Sequence, residues 1–488
     1  LKGNCYLKKK DYPAAEKLFE SVITTFPDMP YAQQARYKLA ISLMEHGATT
    51  EAKTHLETLT RQSGKIALVG DASFLLGTLL MDRAEFSNAG LQFLRVVEQY
   101  PQSEFAVDSY YKLGECYALS GQLSKSAETF ESFARSHKDS PLALEAVFHS
   151  ADAYFQLGRF QDALIRFQHV ASDGQTSAFR EEALYRVAIA YHNLNKTEES
   201  ISTFSKVLEK FPESKYAAES QYRIGDYLLF EKNSPVEAME HFTAVARTMP
   251  TNAFSGRAYK GIAVAHYEMK DFDGAVEEFY RVIMQYPEVS LQPSTYEWVG
   301  QHLFDRGEWR HCKEVFTALL DRVKNYPQPE QVHLKLGDAL ASLEDYDGAL
   351  AQYAWIGENR ADTGVAHEAS YRTAQVLEKQ DKREDAVALY ETVASATMND
   401  TAARARFRLG ELFESGEEYN LAAKHYMRVA ILFLHPELSQ ESLWRAGQCY
   451  EKGENVSSAL KIYRDIVEEY PDTEQASQAT TRLTALKG

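Results

Sequence analysis

YPQSEFAVDSYYKLGECYALSGQLSKSAETF, residues 100–130, decides the fold. Apolar residues recur in it at helical spacing on either side of Ser120-Gly121-Gln122, so it reads as two amphipathic helices joined by a short turn. Gly114 lies in the first helix, Ser126 twelve residues later in the second, and Phe130 four beyond that. Small side chains let two helices approach closely, and a large ring fills the groove between them.

The same triplet recurs along the chain. Small anchors stand at Gly3, Ala40, Gly77, Gly114, Ala151, Ala188, Gly225, Ala263, Gly300, Gly337, Ala374, Gly410 and Gly447, at intervals of 37 residues except one of 38 and one of 36. The second small residue runs from Ala15 to Ala459, shifted by one only in the seventh repeat, where Asn233-Ser234-Pro235 lengthens the turn. The large residue follows at Phe19, Leu56, Phe93, Phe130, Phe167, Phe204, Phe242, Phe279, Phe316, Tyr353, Tyr390, Tyr426 and Tyr463. Glycine at the hairpin turn suits a left-handed helix end. Pro27, Pro101, Pro212, Pro250, Pro287 and Pro471 close second helices. The Ser or Asp after them is placed to cap the next helix.

This pattern resembles the tetratricopeptide repeat, over essentially the whole chain. The repeats are about three residues longer than that family's usual unit. Phrases such as FPESKYAAESQYRIGD (211–226) are similar to those of a bacterial cell-envelope subgroup, which includes the Tol–Pal-associated coordinator and the β-barrel-assembly lipoprotein. The resemblance implies an all-α solenoid of about thirteen hairpins winding as a right-handed superhelix. The reading is one continuous array over 1–472, its first repeat short at the N-terminus, with a mostly polar capping helix over 473–488. The absence of an initiator Met marks the chain as a mature or truncated piece of something longer, so its lack of a signal peptide carries no information.

Composition then excludes classes. The 488 residues are 44% hydrophobic and 25% charged, which argues against wholesale disorder. A length prior of about 150 residues per domain would give roughly three domains, but the lattice makes one array. The net charge of −17 argues against general nucleic-acid or anionic-membrane binding. No apolar run of about 18 residues is present to span a bilayer. Cys5, Cys116 and Cys449 fall two residues after anchors and Cys312 replaces a second small residue, so all four read as compact buried hydrophobes. The fourteen histidines show no metal-ligand spacing, and there is no phosphate loop or nucleophile elbow. The expectation is a non-enzyme with no metal and no cofactor.

The candidate site is the first-helix face that the family turns into its concave groove. Three residues before the anchors stand Tyr37, Phe74, Tyr111, Phe148, Tyr185, Tyr222, Lys260, Glu297, Leu334, Tyr371, Phe407 and Trp444. Such an aromatic strip is either a peptide-binding surface or packing between hairpins. Two before the anchors, basic residues recur, including Lys112, Arg186, Arg223, Arg372 and Arg445. Each has an acid four residues upstream, which favours helix-surface pairing over an acidic ligand. One after the anchors come Glu115, Asp152 and Asp226, whereas members that clamp chaperone tails carry Asn; only Asn4 matches. An acidic, aromatic groove favours a basic or apolar segment of a protein partner. Lys260, Glu297, Trp298 and Leu334 interrupt the pattern in repeats eight to ten, which marks either a bend or a docking site. Resemblance points to a scaffold in a bacterial envelope machine (secretion, motility or Tol-like), periplasmic or outer-membrane-associated. The alternatives are a regulatory arm of a larger enzyme and a cytoplasmic adaptor.

Overall fold

The computed structural model describes residues 1–62, 67–172, 178–248, 252–433 and 436–486, so Pro250, Lys487 and Gly488 lie outside it. The described residues form 27 α-helices and no strand, from Lys2–Lys8 to Glu474–Ala485. Each repeat contributes two of them, for example Ala106–Leu119 and Leu123–Ser136 in repeat four, and Glu474–Ala485 follows the last pair. The chain falls into two compact bodies, Leu1–Gly261 and Ile262–Gly488.

The hairpin turn is the most uniform local feature. In all thirteen repeats its backbone passes through the left-handed region, always at the residue seven after the anchor, or eight in repeat seven. Glycine supplies it at Gly47, Gly121, Gly158 and Gly307. The other nine are ordinary residues such as Lys10, Ala84 (φ 57°), Asn195 and Glu344 (φ 63°). The glycine signal therefore reveals only part of a turn that tertiary packing imposes everywhere, at a local cost of about 1–2 kcal/mol for a residue with a Cβ.

Between the helices lies the socket that fixes the repeat. A Cβ built on Gly77, Gly114 or Gly225 would stand 2.8 Å from the ring of Phe93, Phe130 or Phe242, and one on Gly300 2.5 Å from Phe316. Those rings are 0–1% exposed, so the close approach is a packed contact with no slack. Where alanine is the anchor it too is fully buried, as at Ala151, Ala188 and Ala263. Around these sockets Leu, Val and Ala side chains join neighbouring hairpins into apolar clusters. Glu474–Ala485 adds Ala476 and Ala479 to the cluster built on Tyr463 and Ile466.

Two local expectations are corrected. Pro27, Pro101, Pro212, Pro287 and Pro471 each follow an aromatic C-cap (Phe26, Tyr100, Phe211, Tyr286, Tyr470), as read. The serines beyond, however, do not cap the next helix. Ser103 and Ser214 accept from the amides of Phe105 and Tyr216 two residues on, and these aromatics are the N-caps. Their hydroxyls instead donate back to Asp71 and Glu181 on the preceding repeat's first helix. Cys5 is exposed while Cys116, Cys312 and Cys449 are buried, with thiols pushed up to about 12 by burial. Cys116 packs on Gly90 of the preceding repeat's second helix.

Ala84 is exposed, so it has little packing to lose. Ala84→Gly relieves its left-handed strain, offset by glycine's freer unfolded chain. The expected gain is about 0.5–1 kcal/mol, read as a higher urea midpoint. An unchanged or lower midpoint would show that the turn is unstrained.

Candidate protein-interaction face

The aromatics three residues before the anchors are placed by two neighbours at once. Within its own repeat each meets the socket ring: Phe74–Phe93 at 5.9 Å, Tyr111–Phe130 at 5.3 Å, Phe148–Phe167 at 5.5 Å, Tyr185–Phe204 at 6.1 Å and Tyr222–Phe242 at 5.8 Å. From the next repeat comes an aromatic at or beside the first helix's N-terminus. Phe105 stacks on Phe74 at 4.4 Å, Phe179 lies 4.9 Å from Phe148, Tyr216 stacks on Tyr185 at 4.2 Å and Phe254 lies 5.6 Å from Tyr222. Toward the C-terminus a guanidinium takes the second place. Arg404 covers Tyr371 at 4.9 Å and Arg445 covers Phe407 at 5.4 Å, while Trp444 meets Tyr463 at 5.6 Å. Ring pairs of this kind contribute about 0.5–1.5 kcal/mol each beyond area burial. Most of the strip thus joins one repeat to the next: Tyr111, Phe148 and Tyr371 are buried, and Tyr185, Tyr222, Phe407 and Trp444 half-buried.

The charged positions beside the strip are also joined across repeats. The expected pairs Glu182–Arg186, Glu219–Arg223, Glu368–Arg372 and Glu441–Arg445 form at 3.0–3.3 Å, whereas Lys112 turns to Glu115 at 3.9 Å. Three of these cations, and Lys335, also reach back 34 residues to the position after the preceding anchor. Arg186 meets Asp152 at 3.8 Å, Arg372 meets Asp338 at 3.3 Å, Arg445 meets Glu411 at 3.3 Å, and Lys335 donates to Gln301. These form rungs of one ladder, and the 34-residue acid–base spacing was present in the sequence. Asp226 has a different partner, the Tyr222 hydroxyl at 3.4 Å. Burial lifts the carboxyls of Glu115, Asp226 and Asp338 above the ordinary range.

A second network escaped the sequence reading. In repeats eleven to thirteen the socket ring is tyrosine, and its hydroxyl donates to a glutamate four residues after the anchor. Tyr390 bonds Glu378 at 2.6 Å, Tyr426 bonds Glu414 at 3.2 Å and Tyr463 bonds Glu451 at 3.0 Å. A cation from the following helix closes each: Arg408 on Glu378, Lys452 on Glu414 at 2.9 Å, and Arg482 on Glu451. The signal was available, because Glu and Tyr stand twelve residues apart only where the ring carries a hydroxyl that burial obliges to bond.

Repeats eight and nine break the ladder for visible reasons. Gly261 replaces a base because a Cβ there would lie 2.6 Å from Phe242. Lys260 is half-buried, and Glu297 accepts from the Tyr326 hydroxyl. The 34-residue rung that should be polar is Val264 and Trp298. Together with Tyr267, Phe279, Ser294 and Thr295 they line a cavity of ≈ 300 Å³. Trp298 meets Tyr267 at 5.3 Å, Phe272 at 6.0 Å and His302 at 4.3 Å.

One buried group couples the C-terminal body to pH. His425 is 6% exposed, stacks on Phe413 and faces Arg406 and Arg428. Burial first, then those cations, lowers its pKa to about 4. The unfolded chain takes up this proton near 6.5 and the folded body only near 4. Stability from His425 is therefore complete above 6.5 and declines as pH falls toward 4, by on the order of 3 kcal/mol in all. Burial pushes Glu414 up, yet Lys452 and Tyr426 bring it below the usual carboxylate range, which adds a further loss at still lower pH. Thermal melts between pH 7 and 4.5 should show a steady fall in Tm that His425→Leu largely flattens. An equal fall in the variant would assign the acid sensitivity elsewhere.

Sequence comparisons agree with this architecture. The outer membrane lipoprotein family model YfiO matches residues 1–116 and 77–228. Tetratricopeptide-repeat models match 300–363, 371–433 and 441–473. No curated protein matches the chain. Among solved structures, yeast Tom70 is 15% identical, covering 86% of this chain and 96% of its own, at a TM-score of 0.32. A tetratricopeptide repeat protein from Parabacteroides merdae is 17% identical, covering 54% and 96%, at 0.34. The Naa15/Naa10 complex bound to HypK-THB is 15% identical, covering 100% and 77%, at 0.32. Superpositions this loose give no residue correspondence. Among the described residues no helix is long and apolar enough to cross a membrane. With its hairpins, sockets and matching family models, the chain is a tetratricopeptide-repeat protein whose residues 1–228 match the outer membrane lipoprotein family model.

Proposed function

We propose that this chain is a non-enzymatic scaffold of a bacterial cell-envelope complex, working at the periplasmic side or on the outer membrane. The observation that carries the reading is the match of residues 1–228 to an outer membrane lipoprotein family, on a fold whose general role is protein–protein interaction. Stacked hairpins share a core and expose long surfaces, which suits holding partners in register. We take residues 1–472 as one array of hairpins and 473–488 as its cap.

Partner binding on the first-helix face falls where the chain has not already satisfied its own groups. Tyr111, through His149, and Phe148, Tyr371 and Asp152 are engaged between repeats, so they act as support. The apolar rung at Val264 and Trp298, which lines a cavity, is the part of the face we assign to a partner, and a basic or apolar segment suits it.

Crosslinking mass spectrometry in intact cells is the test. Crosslinks to envelope proteins are expected, and recovery of those partners should fall several-fold in Trp298→Ala. Crosslinks confined to cytosolic proteins would replace the envelope assignment with a cytoplasmic adaptor. Full partner recovery by a folded Trp298→Ala would remove the docking assignment.

A further inference from the structure

From the rings around Trp298 we infer that repeats eight and nine form a receptor for a single cationic side chain, Arg or Lys, on an extended segment of a partner protein. The inference rests on the scaffold reading of this face and specifies what the face recognises.

The rings form an open box. Trp298 forms one wall, with Tyr267 edge-on to it at an interplanar angle of 76° and Phe272 at 69°. Phe279 stands at the floor, 7% exposed and 6.3 Å from Trp298. Tyr267 and Phe272 are 45% and 42% exposed, so their outer surfaces reach solvent. The cavity of ≈ 300 Å³ is at the lower end for a ligand pocket and suits one side chain. Ser294 and Thr295 line it with hydroxyl acceptors.

The occupant's charge follows from what the chain does elsewhere on this face. At two places toward the C-terminus, an aromatic flanked by an acid is covered by the protein's own cation. Arg404 lies over Tyr371 and pairs with Glu368 at 2.6 Å, and Arg445 lies over Phe407 and pairs with Glu411 at 3.3 Å. At repeats eight and nine the rings are present without that cation; Val264 and Ser294 stand where Glu411 and Glu368 stand elsewhere, so an acid must come from a different position. Glu268 is exposed, stands next to Tyr267, and shares a face with Val264 one helical turn away. Among the described residues, no Lys or Arg is placed over Tyr267, Phe272 or Trp298. The rung position that carries Arg186, Arg372 and Arg445 elsewhere is here Trp298 itself. An incoming cation over these ring faces, with Glu268 as the nearby exposed acid, makes a comparable cation–ring contact between molecules.

The test labels the intact chain with 5-fluorotryptophan, whose four signals belong to Trp298, Trp309, Trp355 and Trp444. Trp298→Phe assigns the first. Capped tetra-arginine is titrated in 0.15 M salt, beside a neutral Gly-Leu-Gly-Leu peptide. The arginine peptide should shift the Trp298 signal selectively, and Tyr267→Leu and Glu268→Gln should each weaken it at least about fivefold. Tyr267 is an exposed ring, so its variant keeps the test open if substitutions at Trp298 fail to fold. A neutral peptide that binds as well, or unchanged affinity in Tyr267→Leu, overturns the cation receptor. The two readings fail separately. Partner recovery lost in Trp298→Ala with no preference for arginine retains docking and rejects the cation. A selective arginine response with partner recovery unchanged retains the receptor and rejects this face as the scaffold's docking site.

Discussion

The structure depends on one contact: the ring of each second helix pressed onto the backbone of a small residue in the first. At Gly114 there is no space for a methyl group beside Phe130, and the same holds at Gly77, Gly225 and Gly300. That contact sets how closely two helices approach, and so where every other residue of the hairpin points. The left-handed turn residue follows from it. Nine repeats hold a non-glycine residue at positive φ because the paired helices leave the connection no other path. The strip of first-helix aromatics follows as well, since each of them rests on the socket ring of its own repeat.

This explains what was legible beforehand. The anchors, the second small residues and the socket rings recur at fixed spacing, because steric exclusion leaves few acceptable side chains at those places. Fold class and hairpin number were therefore readable. Interactions satisfied in several ways were not. Ser103 and Ser214 look like N-caps, yet the chain turns once more before Phe105 and Tyr216 begin the helix, and the hydroxyls serve the preceding repeat. The basic stripe was legible as pairing along one helix. Its second set of partners, 34 residues back, becomes evident only when repeats are stacked. Cys5 shares its position with Cys116 and differs in burial; at Cys116 the cover is Gly90 on the preceding repeat's second helix.

The candidate face was legible in outline. Its residues lie where the periodicity put them, but their roles differ from one another. Phe148 and Tyr185 are held between rings of two repeats, Tyr111 rests on Phe130 and meets His149 of the next repeat, and Asp152 is held by Arg186. The acidic character inferred from Glu115 and Asp152 is offset by pairing with Lys112 and Arg186. Lys260, Glu297 and Trp298 broke the pattern together in the sequence, and the structure separates them. Glu297 is bonded internally, and Lys260 is half-buried. Trp298 lines an open cavity.

The socket is tested most directly by a double-mutant cycle on Gly114 and Phe130. Gly114→Ala should destabilise by about 1–3 kcal/mol through overpacking, and Phe130→Leu should destabilise alone by leaving space. Combined, the two should partly compensate, with a coupling of at least about 1 kcal/mol from urea unfolding. Costs that simply add, within about 0.5 kcal/mol, would mean that ring and anchor do not press on each other, and the proposed origin of the repeat would be wrong.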